Sequence, residues 1–322
     1  MKLLLTGAFG NVGASTLKAL LRKGKHDITC YDQKTWTTWK KSRQFRKDVK
    51  IIWGDIRNAK KVSKAVANQD IVLHIAAVIP PKANKNNKYT MEVNYGGTKN
   101  VVDAILNSSS NPKLLYTSSV AIYGDIREKD SPFVNESCPP NPSPGDIYAR
   151  TKIKAEEYIR KSNLIWSIFR LSYIPNIETM KLTPLMFQMP LDTPLEFTHT
   201  RDCGIALANA IEQKEIWNNV WNLGGGEKCQ LSYKEFLERM LPAMGLEMLP
   251  KEAFSTSLFH CCYYTKTELT DSLNYQNKTI EDLISEMVSN NSIKRFLAKI
   301  FKPLVLKFML SKSPYYKKKK KS

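Results

Sequence analysis

Two hydrophobic rhythms alternate along the first half of the chain. Short, mostly apolar runs recur at Met1–Leu5, Asp27–Tyr31, Val49–Trp53, Ile71–Ile75 and Lys113–Thr117. Runs of this length, rich in Ile, Leu and Val, predict strands buried on both faces. Between them apolar residues return every three or four positions, as at Leu17, Leu20 and Leu21 and again at Val62 and Val66. That spacing predicts helices that lay one face on the strands. The alternation requires crossover connections, so it predicts an α/β chain with a parallel sheet covered on both faces. Met91 to Thr98 opens a further helix, and Lys34 to Lys50, dense in Lys and Arg, reads as a solvated surface segment. Residues 131 to 145 hold five prolines and one glycine, which predicts a loop. Beyond it a helix pattern begins at Tyr148, and Tyr233–Met244 and Phe259–Thr265 predict a helix and a strand of a smaller lobe.

The first strand runs directly into Thr6-Gly7-Ala8-Phe9-Gly10-Asn11-Val12-Gly13, and a helix follows. A tight glycine turn between strand and helix leaves backbone N–H groups at the positive end of the helix, where a pyrophosphate can sit without a charged side chain. Gly7, Gly10 and Gly13 supply a turn conformation, close approach of the phosphate and close packing of helix on strand. The second strand ends in Asp32, about twenty residues past the glycines, where an acidic side chain holds a ribose 2′-hydroxyl. Asp32 would repel a 2′-phosphate, and no Arg or Lys lies among the turn residues, so NAD is the predicted cofactor rather than NADP. The class is therefore a doubly wound, Rossmann-type sheet. Asp55 falls at the end of the third strand, on the side where the adenine would lie. Small residues at Ala76 and Ala77 let a cofactor lie against the fourth strand's end, and the fifth strand delivers Ser118 and Ser119 to the same edge.

Composition narrows the partners. No apolar run is long enough to cross a membrane, and the N-terminus has no signal-peptide pattern. Six cysteines show neither metal-ligand spacing nor a disulfide framework, so no metal is predicted and a reducing cytoplasm fits. The net charge of +19 is concentrated at one end: after Glu286 there is no acidic residue, while eleven Lys and Arg residues follow. With no nucleic-acid motif present, the basic character belongs mainly to an appendage and nucleic acid is not a predicted partner.

The second constellation is Tyr148-Ala149-Arg150-Thr151-Lys152. A spacing of four puts both side chains on one helix face. A tyrosine is a poor base at neutral pH, but an adjacent ammonium stabilises the phenolate and lowers its pKa. A hydroxyl such as Ser119 can hydrogen-bond the reacting oxygen and share its proton.

Taken together, these motifs resemble the extended short-chain dehydrogenases/reductases of the NAD-dependent epimerase/dehydratase family, over roughly residues 1 to 285. The matching segments are Thr6-Gly7-x-x-Gly10-x-x-Gly13, Gly54-Asp55, His74-Ile75-Ala76-Ala77, Val93-Asn94-x-x-Gly97-Thr98, Ser118-Ser119 with Tyr123-Gly124, Tyr148-x-x-x-Lys152, Arg170, Phe197-x-His199-x-x-Asp202 and Trp221 to Gly226. The resemblance implies that Asn11 and Val12 contact the pyrophosphate, Asp32 the adenosine ribose, and Asp55 and Ile56 the adenine. Ala76, Ala77 and Asn94 would line the cofactor channel, and Ser172 would lie near the nicotinamide. Ser119 would be the catalytic hydroxyl and Tyr148 the acid/base. Lys152 would bind the nicotinamide ribose and lower the Tyr148 pKa. It also implies a closing helix through Ile280, Leu283 and Met287. The domains expected are a cofactor domain over 1–170, to which strand and helix near 201–223 return, a substrate lobe from 171–200 and 224–288, and a tail over 289–322.

The substrate half departs from the sugar-nucleotide pattern. Arg170 to Pro175 lacks the aromatic-glycine-proline signature, and the segment from Arg170 to Asp202 is short. Thr183 to Leu195 either walls an apolar pocket or forms ordinary core. Ser119-Val120-Ala121 lacks the acid pair expected in family dehydratases. The activity expected is reversible hydride transfer on a small molecule, with a nucleotide sugar as first substrate class; the alternatives are oxidation of an apolar or lipid-linked alcohol, and NAD binding without turnover. His199 and His260 are read as structural, and a homodimer is the family's usual assembly. In the tail, Ile293, Phe296, Leu297, Ile300, Phe301, Leu304, Val305 and Phe308 approach one helical face with Arg295, Lys299 and Lys302 opposite, while Pro303 interrupts it. Such a helix either lies on an anionic membrane surface, making the protein peripheral to the inner face, or docks on the chain's own core or a partner subunit.

Overall fold

The computed structural model describes residues 1–177 and 184–316. Five sheet strands and six helices build the first half, alternating except where α4 and α5 follow one another. They are β1 (Lys2–Thr6), α1 (Asn11–Lys23), β2 (Asp27–Asp32), α2 (Trp36–Ser42), β3 (Lys50–Trp53), α3 (Ala59–Val66), β4 (Ile71–His74), α4 (Asn87–Met91), α5 (Gly97–Leu106), β5 (Lys113–Ser119) and, after the proline-rich loop with its short β6 (Phe133–Val134), α6 (Ile147–Arg160). The chain continues through β7 (Trp166–Leu171), α7 (Leu185–Gln188), β8 (Pro194–Glu196), α8 (Thr200–Ala210), β9 (Asn219–Leu223), β10 (Gln230–Ser232), α9 (Tyr233–Ala243), β11 (Tyr263–Tyr264), α10 (Glu268–Leu273), α11 (Ile280–Ser289), α12 (Ser292–Ile300) and α13 (Lys302–Lys312).

Seven strands form one parallel sheet in the order β3-β2-β1-β4-β5-β7-β9. Alternate strand residues feed two cores. Leu3, Leu5, Ile28, Leu73 and Phe169 pack under α1 and α8, and Leu4, Val72, Leu114, Tyr116 and Ile168 under α3, α5 and α6. Gly204 lets α8 approach α1 closely, since a Cβ there would stand 2.5 Å from the Ser15 carbonyl carbon. The order reverses beside β1, so β1 and β4 lead to the crevice where such folds bind ligands. A third core, with Phe187, Met189, Leu195, Phe197, Phe236 and Leu283, underlies the antiparallel pair β8–β10, helices α9 and α11, and the loops between.

Several local expectations change. The Lys34–Lys50 segment contains α2, begun by Thr35 in a capping box. The helix expected from Met91 starts earlier, as α4, and passes into α5 through one π-helical turn, Glu92–Gly96. The strand expected over Phe259–Thr265 shrinks to Tyr263–Tyr264, because Cys261 instead bridges Asp125 and the Phe259 N–H donates to Asp125 Oδ2 at 2.9 Å. Of the Thr183–Leu195 stretch, Thr183 lies outside the described residues, and Phe187, Met189 and Leu195 are buried core rather than pocket wall. Among the described residues the tail holds two helices, and Pro303 sits in the first turn of α13, where its missing N–H costs nothing.

Candidate active site

The glycine turn is shaped by what it touches. Gly7 takes φ +67°, and a Cβ on it would stand 2.8 Å from the Ala76 Cα, so β1 and the end of β4 close on each other only through glycine. A Cβ on Gly13 would overlap the Gly7 carbonyl. Gly10 is the N-cap of α1; no side chain caps it and the first turn holds no acidic residue. The first-turn N–H groups of Asn11, Val12 and Gly13 therefore face the crevice at the positive end of α1, an arrangement that fits a diphosphate. Asn11 reaches past the turn to the Pro175 carbonyl at 3.3 Å.

Asp32 closes β2 beside this turn. Its Oδ2 accepts from the Phe9 N–H at 2.8 Å and its Oδ1 from the Gln33 N–H at 2.7 Å, while burial pushes its pKa up. Asp55 lies one strand further out, held by Gln33 at 2.9 Å and by Arg57 Nη2 at 2.7 Å, and the Arg57 hydrogen bonds hold its carboxyl below the usual range. The Ile56 side chain is buried against Gly97, and its carbonyl accepts from Asn100 Nδ2 at 3.0 Å. Asn94 also departs from its expected part. It is 1% exposed, its Oδ1 accepts from the Val78 N–H at 2.7 Å, and its Nδ2 donates to the Val78 carbonyl and to Thr151 Oγ1. A side chain so fully engaged clamps the loop after β4 to α6 instead of lining a channel.

Beneath the crevice His74 is wholly buried between Thr6 Oγ1 at 2.7 Å and Thr98 Oγ1 at 3.0 Å. Thr98 donates to the Asn94 carbonyl at 2.6 Å, so it accepts from the His74 Nε2–H, and Nδ1 accepts from Thr6. Burial drives the His74 pKa down to about 3, and the ring is neutral.

Ser119, Tyr148 and Lys152 come together where β5 meets α6. Asp146 caps α6 by accepting from the Ala149 N–H at 2.9 Å, which sets Tyr148 in the first turn. The Tyr148 phenol stands near the Ser119 hydroxyl, and Ser119 Oγ accepts from the Ala121 N–H at 3.3 Å. Lys152 Nζ donates to the Thr117 carbonyl at 2.7 Å and lies 4.8 Å from the centroid of the Tyr116 ring and 5.9 Å from that of Tyr148. The expected lowering of the Tyr148 pKa is absent. Burial pushes it up to about 12 against the opposing pull of the nearby Ser119 hydroxyl, and burial likewise pulls Lys152 down to about 7. Desolvation outweighs attraction because both groups are buried and the ammonium stands off the ring face. Ser118 is the buried neighbour; its hydroxyl has no partner.

His260 has the structural part expected of it, but its partner and those of two carboxylates come from outside any sequence motif. Glu156, two turns beyond Tyr148, pairs with Arg170. His260 Nδ1 lies 2.7 Å from Asp146 Oδ2, joining the smaller lobe to the start of α6. Glu196 is 2% exposed and accepts from the Gly226 and Tyr264 N–H groups at 3.0 and 2.7 Å. These partners are far apart in sequence, and no local spacing announces them. Ser172, expected near the nicotinamide, hydrogen-bonds Thr198 at 2.6 Å. His199 caps α8 through the Arg201 N–H at 3.1 Å.

Sheet order, glycine turn and the Ser119–Tyr148–Lys152 cluster define an extended short-chain dehydrogenase/reductase fold. The chain belongs to the 3-beta hydroxysteroid dehydrogenase/isomerase family, whose model matches residues 4–172. It is similar to dTDP-glucose 4,6-dehydratase of Mycobacterium tuberculosis, 31% identical over 163 residues that cover 50% of this chain and 48% of that one. Human 3 beta-hydroxysteroid dehydrogenase type 7 is 30% identical over 166 residues, 50% of this chain and 44% of that one. The chain thus spans about half the length of the curated relatives it matches. Among solved structures, UDP-glucuronic acid 4-epimerase from Bacillus cereus, in complex with UDP-glucuronic acid and NAD, superposes with a TM-score of 0.73 at 21% identity, covering 91% of this chain and 100% of that one.

Proposed function

We propose that the chain is an NAD-dependent oxidoreductase that acts by reversible hydride transfer at a secondary alcohol, with a nucleotide sugar as the first substrate class. The observation that carries this reading is the clustering of Ser119, Tyr148 and Lys152, set at the strand edge beside an uncapped glycine turn. Asn11, Val12 and Gly13 would hold the diphosphate by their main chain, Asp32 the adenosine ribose, and Asp55 and the main chain of Ile56 the adenine. Ala76 and Ala77 would leave room beside β4, and Ser172 would lie near the nicotinamide. Bound NAD would supply the hydride acceptor and donor.

The chain's own residues would manage the proton. Ser119 orients the substrate hydroxyl and Tyr148 takes its proton. Lys152, released from part of its desolvation by a ribose hydroxyl, favours the phenolate. A pure NAD-binding regulator has no need of that set, which argues against binding without turnover. Val120 and Ala121, the positions after Ser119, are buried apolar side chains, so neither supplies a carboxyl group to assist loss of water. Epimerisation or simple oxidation fits the site better than dehydration.

The segments 171–177, 184–200 and 224–288 would form the substrate lobe. A second reading, an apolar or lipid-linked alcohol, is favoured by the short Arg170–Asp202 segment and by the family match. A homodimer belongs to either reading and is measured by sedimentation velocity. No described helix is long and apolar enough to cross a membrane.

The test is mass spectrometry after incubating the purified chain and NAD with a pool of nucleotide sugars, and separately with 3β-hydroxysteroids, with Tyr148→Phe as control. An isomer of unchanged mass identifies an epimerase; loss of two hydrogens with NADH formed identifies a dehydrogenase. No Tyr148-dependent change in either pool removes both substrate classes.

A further inference from the structure

Among the described residues, seven of the fifteen large apolar side chains left exposed lie between Ile293 and Phe308. On α12 they are Ile293, Phe296, Leu297 and Ile300, spaced as one helical face, at the junction Phe301, and on α13 Leu304 and Phe308, one turn apart. Ile293 is 75% exposed, Phe296 63% and Leu304 65%. In a globular helix this stripe turns inward. Here the inward positions are Ala298 and Met309, with Val305, Leu306 and Leu310 half-buried against the third core.

The outward orientation is fixed by specific contacts. The Lys299 stem crosses Gly245, Lys302 pairs with Glu247, and Ser313 Oγ donates to the Ala253 carbonyl at 2.6 Å. At the root, Asn290 Nδ2 donates to the Ile177 carbonyl at 3.1 Å, so the helices are tied to the segment that follows β7. Charge identifies what could cover the stripe. Eleven cations and no acidic residue follow Glu286, and Lys317 to Lys321 among them lie outside the described residues. A second copy seated on this face would set like charges against each other. An anionic bilayer satisfies both features, taking the apolar stripe at its acyl boundary and the cations among its headgroups.

We propose that α12 and α13 form a preformed docking face for an anionic bilayer, holding the protein on the membrane surface without crossing it. The inference does not depend on the substrate or on turnover.

The full chain is sedimented with phosphatidylcholine vesicles and with vesicles of equal parts phosphatidylcholine and phosphatidylserine, beside the variant Phe296→Ser/Ile300→Ser/Leu304→Ser. Sedimentation velocity without lipid sizes each protein. The full chain is expected to favour the mixed vesicles by about tenfold or more, and the serine variant to lose that binding at unchanged size. A second variant, Arg295→Glu/Lys307→Glu, keeps the stripe and is expected to lose the preference for phosphatidylserine; it decides the matter if the serine variant misfolds. No binding to mixed vesicles, or equal binding by the variants, overturns the proposal. So does a full chain that self-associates where the serine variant is monomeric, which would assign the face to a second copy.

Discussion

Glu156 and Arg170 meet as a buried fork, with Arg170 Nε 3.1 Å from Oε1 and Nη2 2.8 Å from Oε2. Through this pair α6, which carries Tyr148 and Lys152, is fastened to β7. Arg170 Nη1 also donates to the Tyr123 hydroxyl at 2.7 Å, and Tyr123 donates to Asn222 Oδ1 at 2.8 Å, so one guanidinium ties α6, β7 and β9 together. Removing one charge leaves the other buried without its partner. Glu156→Gln is expected to lower unfolding stability by about 3 kcal/mol, measured by urea denaturation. A loss within error would show that the neutral amide and Tyr123 suffice for Arg170.

Tyr148→Phe keeps the ring that fills the first turn of α6 and deletes only the hydroxyl beside Ser119. Turnover is expected to fall by about 10²-fold or more, while NAD affinity, measured by calorimetry, stays within a few-fold. A normal rate would take Tyr148 out of the mechanism; a large loss of NAD affinity would make it a cofactor ligand first.

Gly13→Ala tests the turn. Its Cβ would overlap the Gly7 carbonyl, and neither backbone can yield, because Gly7 is wedged against Ala76. The expected outcome is loss of NADH binding by fluorescence titration, with helix content by circular dichroism retained. Unchanged binding would mean that the diphosphate does not rest on this turn.

How much of this was legible in the sequence depends on the range of the contact. The β1–α1–β2 unit, its glycines and Asp32 follow from periodicity and local spacing, and so does the Tyr148–Lys152 pair, because each signal lies within one element or one crossover. The strand edge shared by Ser119 and Ala76 follows from parallel topology. The parts of Asn94 and Glu196 do not, since their polar partners are supplied by segments remote in the chain. The electrostatics were misjudged for a related reason: spacing shows that an ammonium is close to a phenol, but burial decides which charge survives. In the tail, periodicity found the apolar stripe but could not tell which way it faces.

That burial makes Lys152 a pH probe of the site. Its ammonium is pulled from 10.5 to about 7 chiefly by desolvation, with Glu156 opposing. Between those two values the unfolded chain holds a proton that the folded chain has released, so stability rises with pH across that window, and the cost of the buried charge is felt in full below pH 7. Lys152→Met keeps the stem and removes the charge, at the loss of the bond to the Thr117 carbonyl. Relative to the parent, the variant is expected to gain most at pH 6 and to lose that gain steadily as pH climbs from 7 toward 10.5. Urea midpoints at pH 6 and pH 9, taken without cofactor, measure the difference. A gap that does not change with pH would show that the ammonium stays charged in the folded protein, and Lys152 would then face Tyr148 as a permanent cation.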